Sequence, residues 1–327
     1  MLVAQNRAVP ATVEGLMGPE TLARLERLDL ASRKVFAGKL PGERRSKRRG
    51  QSVEFDDYRD YTPGDDLRRL DWNVFARLDR FLIKLYRAEE DLGLHILIDA
   101  SASMLAGGDE HPTKLLFAHR LALALAFIGL VRQNRVRVAA FGAAEPVTLR
   151  PLRGRHEVRR VAEFLLDSLR TAERQRLGAS GEGGEALERA CRVFGASRVG
   201  GGLVVFITDA LIADTDALRR GLRWLAAPGG VDVTLIRTLT RAELDPARSA
   251  GSGLVGDLRL VDAETLRGTE VTVSPALLAA YRARAEAHAE AVARACASLD
   301  ISHELVTTDA DPADLILGPL RRRGLVR

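Results

Sequence analysis

The stretch LHILIDASAS, Leu94 to Ser103, sets the fold. Its first half is short, mostly apolar and suited to a buried strand, and its second half places Asp99, Ser101 and Ser103 at alternate positions. A second run, Leu203 to Ile207, ends similarly: in FITDA, Phe206 to Ala210, Thr208 and Asp209 follow apolar residues. Short runs with apolar residues on both faces suit strands of a parallel sheet covered by helices.

Outward from these runs the pattern alternates. Helical periodicity spans Pro112 to Gln133, Glu157 to Leu169, Glu185 to Val193, Ala217 to Ala226 and Pro275 to Ser298. Strand patterns occupy Val136 to Phe141, Val147 to Leu152, Val231 to Ile236 and Ser302 to Thr307, and Asp257 to Val273 suits an inserted hairpin. The expected fold class is α/β: a doubly wound, mostly parallel sheet with helices on both faces. An N-terminal extension and the hairpin are additions to it. The expected division is 1–90, packed on a main domain of 91–327.

In the extension a helix begins at Pro19, and Thr62-Pro63-Gly64-Asp65 has the residues of a type II turn. Asp65 or Asp66 can cap a helix carrying Leu67, Leu70, Val74 and Leu78, and RFLIKLYR, Arg80 to Arg87, suits an edge strand. The acidic block from Glu54 to Trp72 reads as a loop of mutually bonded Asp and Arg side chains, with Trp72 a packing anchor.

At 327 residues, 46% hydrophobic and 28% charged, the chain has the composition of a globular protein rather than a fibre or a disordered segment. Leu121 to Val131, the longest apolar candidate, is short for a bilayer span, and the first residues lack a signal-peptide pattern. A cytoplasmic protein without a membrane span is expected. Cys191 and Cys296 have neither disulfide nor zinc spacing, and the six histidines show no metal pairing. No GxGxxG follows the first strand and no GK[ST] occurs, which argues against nucleotide binding.

The net charge of +5 is segregated. Basic residues crowd Arg33 to Arg49, and acids dominate Glu54 to Asp66. The run Arg44 to Arg49 lacks interleaved aromatics, so a solvated loop or a contact for an acidic partner outranks nucleic-acid binding.

In an extended segment alternate side chains share a side, so the Asp99 carboxylate and the Ser101 and Ser103 hydroxyls can converge beyond a strand end. Open α/β sheets bind ligands at such ends. A hard cation, Mg²⁺ or Mn²⁺, takes oxygen ligands of this kind, and Asp209 on a neighbouring strand would add a second carboxylate. For either motif alone a helix cap or turn is the better reading; together they favour a cation site of Asp99, Ser101, Ser103 and Asp209.

Asp99-Ala100-Ser101-Ala102-Ser103 resembles the DxSxS of the metal-ion-dependent adhesion site in von Willebrand factor A domains, and Thr208-Asp209 looks like that fold's later aspartate loop. Upstream, RSKRRGQSVEFDDYRDYTPGDDLRRLDWNVFARLDRFLIKLYRAEED, Arg45 to Asp91, is similar to the signature of the bacterial domain of unknown function 58 proteins. The resemblance implies a von Willebrand A-like domain that binds a partner without catalysing, acting with a MoxR-type AAA+ ATPase in chaperone-like maturation of a client protein. It also implies a loop threonine before the third buried strand; here the loop is GASGEGG, where Ser180 or Glu182 would have to substitute. The rival readings are a metal-dependent phosphoester hydrolase at the same site and nucleic-acid binding through residues 44–49.

Overall fold

The computed structural model describes residues 10, 12–32, 55–63, 65–86, 92–107, 112–142, 145–175, 183–198, 201–227, 230–246, 256–261 and 268–327. The basic run 44–49 and the loop positions Ser180 and Glu182 lie outside them. The chain divides into two compact units, residues 39–91 and residues 1–38 with 92–327. This differs from the expected cut at 90, because the helices α1 (Val13–Leu16) and α2 (Pro19–Leu25) belong with the larger unit. Leu16, Leu25 and Leu30 are buried in its core, and Leu30 bridges to Val326 near the chain's end.

In the smaller unit, β1 (Phe55–Asp60) and β2 (Leu82–Tyr86) pair antiparallel, with α3 (Trp72–Leu78) between them in sequence. The acidic block is therefore part strand, not wholly loop. The expected helix from Asp65 is interrupted: a 3₁₀ turn at Leu67–Arg69 precedes α3, whose cap is Asp71 rather than Asp65 or Asp66. Asp71 is buried and accepts hydrogen bonds from Tyr58 Oη and the Asn73 and Val74 amides. The Lys84 ammonium at 3.0 Å does most to hold its carboxyl down, to about 2. Trp72 is not the expected anchor: it is 59% exposed, its ring edge-on to Phe75.

The larger unit holds β3 (Gly93–Asp99), α4 (Lys114–Val131), β4 (Arg135–Phe141), β5 (Val147–Thr148), α5 (Val158–Gln175), α6 (Gly183–Ala196), β6 (Gly202–Thr208), α7 (Thr215–Ala226), β7 (Val231–Leu239) and α8 (Arg241–Leu244). The antiparallel hairpin β8 (Gly256–Val261) and β9 (Gly268–Val273) follows, then α9 (Pro275–Ala297), β10 (Ser302–Thr307) and α10 (Pro312–Leu315). Helix α10 runs directly into a π turn at Ile316–Leu320. The six-stranded sheet has the order β10-β7-β6-β3-β4-β5, parallel except for β5. Its strands thus run outward in both directions from a central β3–β6 pair, as in a doubly wound fold.

Alternation along the strands feeds two cores. Leu94, Ile96 and Ile98 pack with α4 and α5, whereas Leu97, Val204, Phe206 and Leu235 pack with α6, α7 and Val292 of α9. Helix α4 is apolar nearly all round because it is enclosed, touching the sheet, α2, α5 and α10. By length and composition it could cross a membrane, unlike the shorter run read from the sequence, but it is mostly buried within this unit.

One member of that helix makes stability pH-dependent. His119 is fully buried, with Nδ1 facing the Leu115 carbonyl at 2.7 Å and Nε2 without a partner among the described residues. Burial lowers its pKa to about 4. The folded state therefore resists a proton that the unfolded state accepts, so the contribution is intact above pH ~6.5 and is lost as pH falls towards 4, up to about 3 kcal/mol. Urea titrations at pH 7.5 and 4.5 are expected to show a smaller acid loss in His119→Leu than in wild type; equal losses would refute this assignment.

Candidate functional site

Asp99 is the last residue of β3 and Thr208 the last of β6, adjacent strands in register from Gly93↔Gly202 to Ile98↔Ile207. Their carboxyl ends flank the point where the strand order reverses, the usual ligand position in such sheets. Beyond Asp99 the chain folds into a 3₁₀ turn, Ala102–Leu105, with Ser101 as its N-cap. The Ala100 amide bonds the Phe141 carbonyl at 2.6 Å. Glycine is required at the neighbouring position, since a Cβ on Gly142 would lie 2.8 Å from the Ala100 oxygen.

Three oxygen-bearing side chains converge as the spacing implies. Asp99 is buried; its Oδ1 accepts from the Ser101 amide at 3.0 Å and its Oδ2 from the Thr208 hydroxyl at 2.6 Å. The half-buried Ser101 and Ser103 hydroxyls lie 3.1 Å apart. Thr208, outside the expected ligand set, locks the two strand ends together: its hydroxyl donates to Asp99 and accepts from the Ala210 amide at 2.9 Å.

Asp209 faces a different environment. Its Oδ1 accepts from the Leu211 amide at 3.0 Å, and its Oδ2 receives the Lys114 ammonium at 2.7 Å. Lys114, fully buried at the start of α4, also reaches Glu243 of α8 at 2.5 Å. Glu243 is fixed by a capping box with Thr240, and Arg237 of β7 donates its Nε–H to the Asp209 carbonyl at 3.1 Å. His288 of α9 contacts the Ala210 carbonyl at 2.8 Å, where Ala210 takes φ +53°.

The two aspartates therefore differ electrically. Burial first, then the neighbouring Asp209 charge, raise Asp99 well above the usual carboxylate range. Burial alone would lower Lys114, but Asp209 and Glu243 together outweigh it and hold the ammonium charged.

These positions can be tested against a hard cation. Cis ligands of an octahedral ion at about 2.1 Å stand about 3.0 Å apart. The 3.1 Å between the Ser101 and Ser103 oxygens fits that spacing, and among the described residues no cation pairs with Asp99 beside them. Asp209 does not fit as placed, because both its oxygens are engaged, one of them by an ammonium. Among the described residues no three His, Cys, Asp or Glu side chains are grouped to hold a metal, so the fitting donors are one carboxylate and two hydroxyls.

Sequence reasoning missed Lys114, Glu243 and Arg237. The capping box Thr240-Arg-Ala-Glu243 was legible as T-x-x-E, and Lys114 was a cation in the first turn of a mostly apolar helix. Their convergence required the tertiary fold.

The family described as "Protein of unknown function DUF58" matches residues 57–291. "Uncharacterized protein Mb1516" of Mycobacterium bovis is 31% identical over 310 residues, covering 94% of this chain and 91% of that protein. "Uncharacterized protein Rv1480" of Mycobacterium tuberculosis gives the same figures: 31% identity, 94% and 91%. Among solved structures, the conserved hypothetical protein BatB from Bacteroides thetaiotaomicron overlaps with TM-score 0.40 and 15% identity, over 71% of this chain and 98% of that one. The SpRpn10 VWA domain overlaps with TM-score 0.36 and 14% identity, over 69% and 93%.

Proposed function

The chain belongs to the family described as Protein of unknown function DUF58, and we propose that it acts as a cytoplasmic protein-binding module, not as an enzyme. Its recognition surface is the rim formed by Asp99, Ser101 and Ser103. The observation that carries this reading is the placement of two half-buried hydroxyls, 3.1 Å apart, beside a buried carboxylate that pairs with no cation of the described residues, at the strand-order reversal. Behind them, Lys114 keeps Asp209 neutralised. Mg²⁺ or Mn²⁺ on the rim would be held by Asp99, Ser101 and Ser103, leaving positions for water and a carboxylate from the partner. When bound, the ion supplies an attachment point for that carboxylate. In keeping with the signature at Arg45 to Asp91, the partner is a MoxR-type AAA+ ATPase, and the pair acts on a client protein.

Mn²⁺ titration followed by electron paramagnetic resonance tests the rim. Loss of the free-ion signal is expected in wild type, with affinity at least tenfold weaker in the Ser101→Ala/Ser103→Ala variant. Unchanged binding in that variant would remove the rim from the account. A turnover screen with p-nitrophenyl phosphate and Mg²⁺ is expected to give no hydrolysis; turnover abolished by the same double substitution would reassign the centre to catalysis.

A further inference from the structure

Beside the rim, on the α9 side, a cavity of about 600 Å³ opens at the carboxyl ends of β6 and β7. Its walls come from the segment after Asp209, from β7 and α8, from α9 and from Leu305 of β10. Four large apolar residues on it remain exposed: Leu211 at 44%, Leu244 at 38%, Tyr281 at 39% and Leu305 at 42%. Apolar side chains clustered around one opening are the mark of an interaction site rather than of ordinary surface scatter.

The cavity also has a polar anchor. Arg237 lines it and is only 3% exposed, yet among the described residues its sole hydrogen bond is from Nε to the Asp209 carbonyl. No carboxylate of the described residues forms a salt bridge with it, because Asp209 and Glu243 are both committed to Lys114. A buried guanidinium with two unspent terminal nitrogens is a fork awaiting a planar acceptor, and a carboxylate matches it bidentately. The rest of the charged lining is balanced: Arg282 pairs with Asp245 at 3.0 Å, and Arg284 and Glu286 also stand on the wall, so Arg237 is the distinguishing charge. The volume falls within the range of ligand pockets and accommodates a few side chains.

We propose that this cavity docks a short peptide segment of a partner protein, with an acidic side chain on Arg237 and flanking aliphatic side chains against Leu211, Leu244 and Leu305. The inference rests on the binding-module reading and adds the second half of its interface. Open, exposed apolar walls around a single buried fork favour a segment of polypeptide over an enclosed small molecule. The Arg237 guanidinium, rather than the net charge of the lining, selects an acidic residue within it.

The test uses the full chain, labelled with ¹⁵N and ²H, titrated with the peptide acetyl-LLDLL-amide and its acetyl-LLNLL-amide counterpart. Amide shifts are expected around Leu211, Leu244 and Leu305 with the acidic peptide, and binding at least tenfold weaker with the neutral one. Arg237→Gln and the surface substitution Leu305→Arg should each weaken binding at least tenfold, the latter at a position that does not threaten folding. Equal binding of both peptides, or no loss in Leu305→Arg, overturns the proposal. Tighter saturation of the same amides by decanoate overturns the choice of a peptide. Peptide binding that survives Ser101→Ala/Ser103→Ala places the segment in the cavity, whereas peptide binding lost only in that double variant places it on the rim and refutes the cavity. Failure of the rim to bind Mn²⁺ leaves this result readable, so the two readings fail separately.

Discussion

Replacing Lys114 with alanine is expected to destabilise the protein by about 3 to 5 kcal/mol, the cost of stranding a buried charge whose partner has been removed. The Lys114 ammonium is fully buried and bonded to Asp209 at 2.7 Å and Glu243 at 2.5 Å. Removing it leaves two neighbouring carboxylates facing each other, one of them almost wholly buried, with Asp99 raised nearby by the same negative charge. The loss is therefore electrostatic rather than a matter of packing, and a compensating variant separates the two. Lys114→Met with Asp209→Asn and Glu243→Gln keeps volume and hydrogen-bonding capacity while removing all three charges. It is expected to recover most of the stability in urea unfolding. A Lys114→Ala loss below about 1 kcal/mol, the range of an exposed ion pair, would mean that the ammonium does not hold this centre together.

The second large effect concerns the central strand pair. Gly202 opens β6 with φ +145°, a conformation L side chains rarely adopt, and a Cβ there would lie 2.1 Å from the Gly93 carbonyl oxygen. Gly93 and Gly202 begin the β3–β6 register that ends at Ile98↔Ile207, immediately before Asp99 and Thr208. Alanine at 202 must push the two strands apart at the amino end of this register, the end opposite the rim. The expected cost is at least about 3 kcal/mol, with loss of soluble protein on expression as an acceptable extreme. Gly230→Ala is the control: φ is +80° but no atom lies within 4 Å of the added Cβ. Only backbone strain remains there, about 1 to 2 kcal/mol. Thermal unfolding that ranks the two variants equally would show that the close approach at Gly202 is not a constraint.

Much of this architecture was legible because it depends on local pattern. The apolar runs Leu94 to Ile98 and Leu203 to Ile207 are strands, and their ends meet at the strand-order reversal as the doubled motif required. The apolar helix from Pro112 was also readable, although its long hydrophobic face reflects enclosure by the sheet and other helices. The acidic block from Glu54 was misread as a loop, since its strand β1 gains its partner only from Leu82 to Tyr86, more than twenty residues on. At the site, spacing placed Asp99, Ser101 and Ser103 together. It could not reveal that Asp209 turns to a lysine 95 positions away, nor that Glu243, 129 positions from that lysine, joins them. Charge pairing over such separations is set by packing, which periodicity does not encode. Thr208, set aside as a ligand, fastens Asp99 from the adjacent strand.

We propose that Asp99, Ser101 and Ser103 form the surface through which this protein holds its partner. The most direct measurement is capture of a purified MoxR-type AAA+ ATPase by the immobilised full chain in Mg²⁺ and in EDTA, with wild type and with Ser101→Ala/Ser103→Ala shown to be folded. Capture by wild type is expected in Mg²⁺, lost in EDTA and lost in the double variant even with Mg²⁺ present. Equal capture under all of these conditions would contradict it.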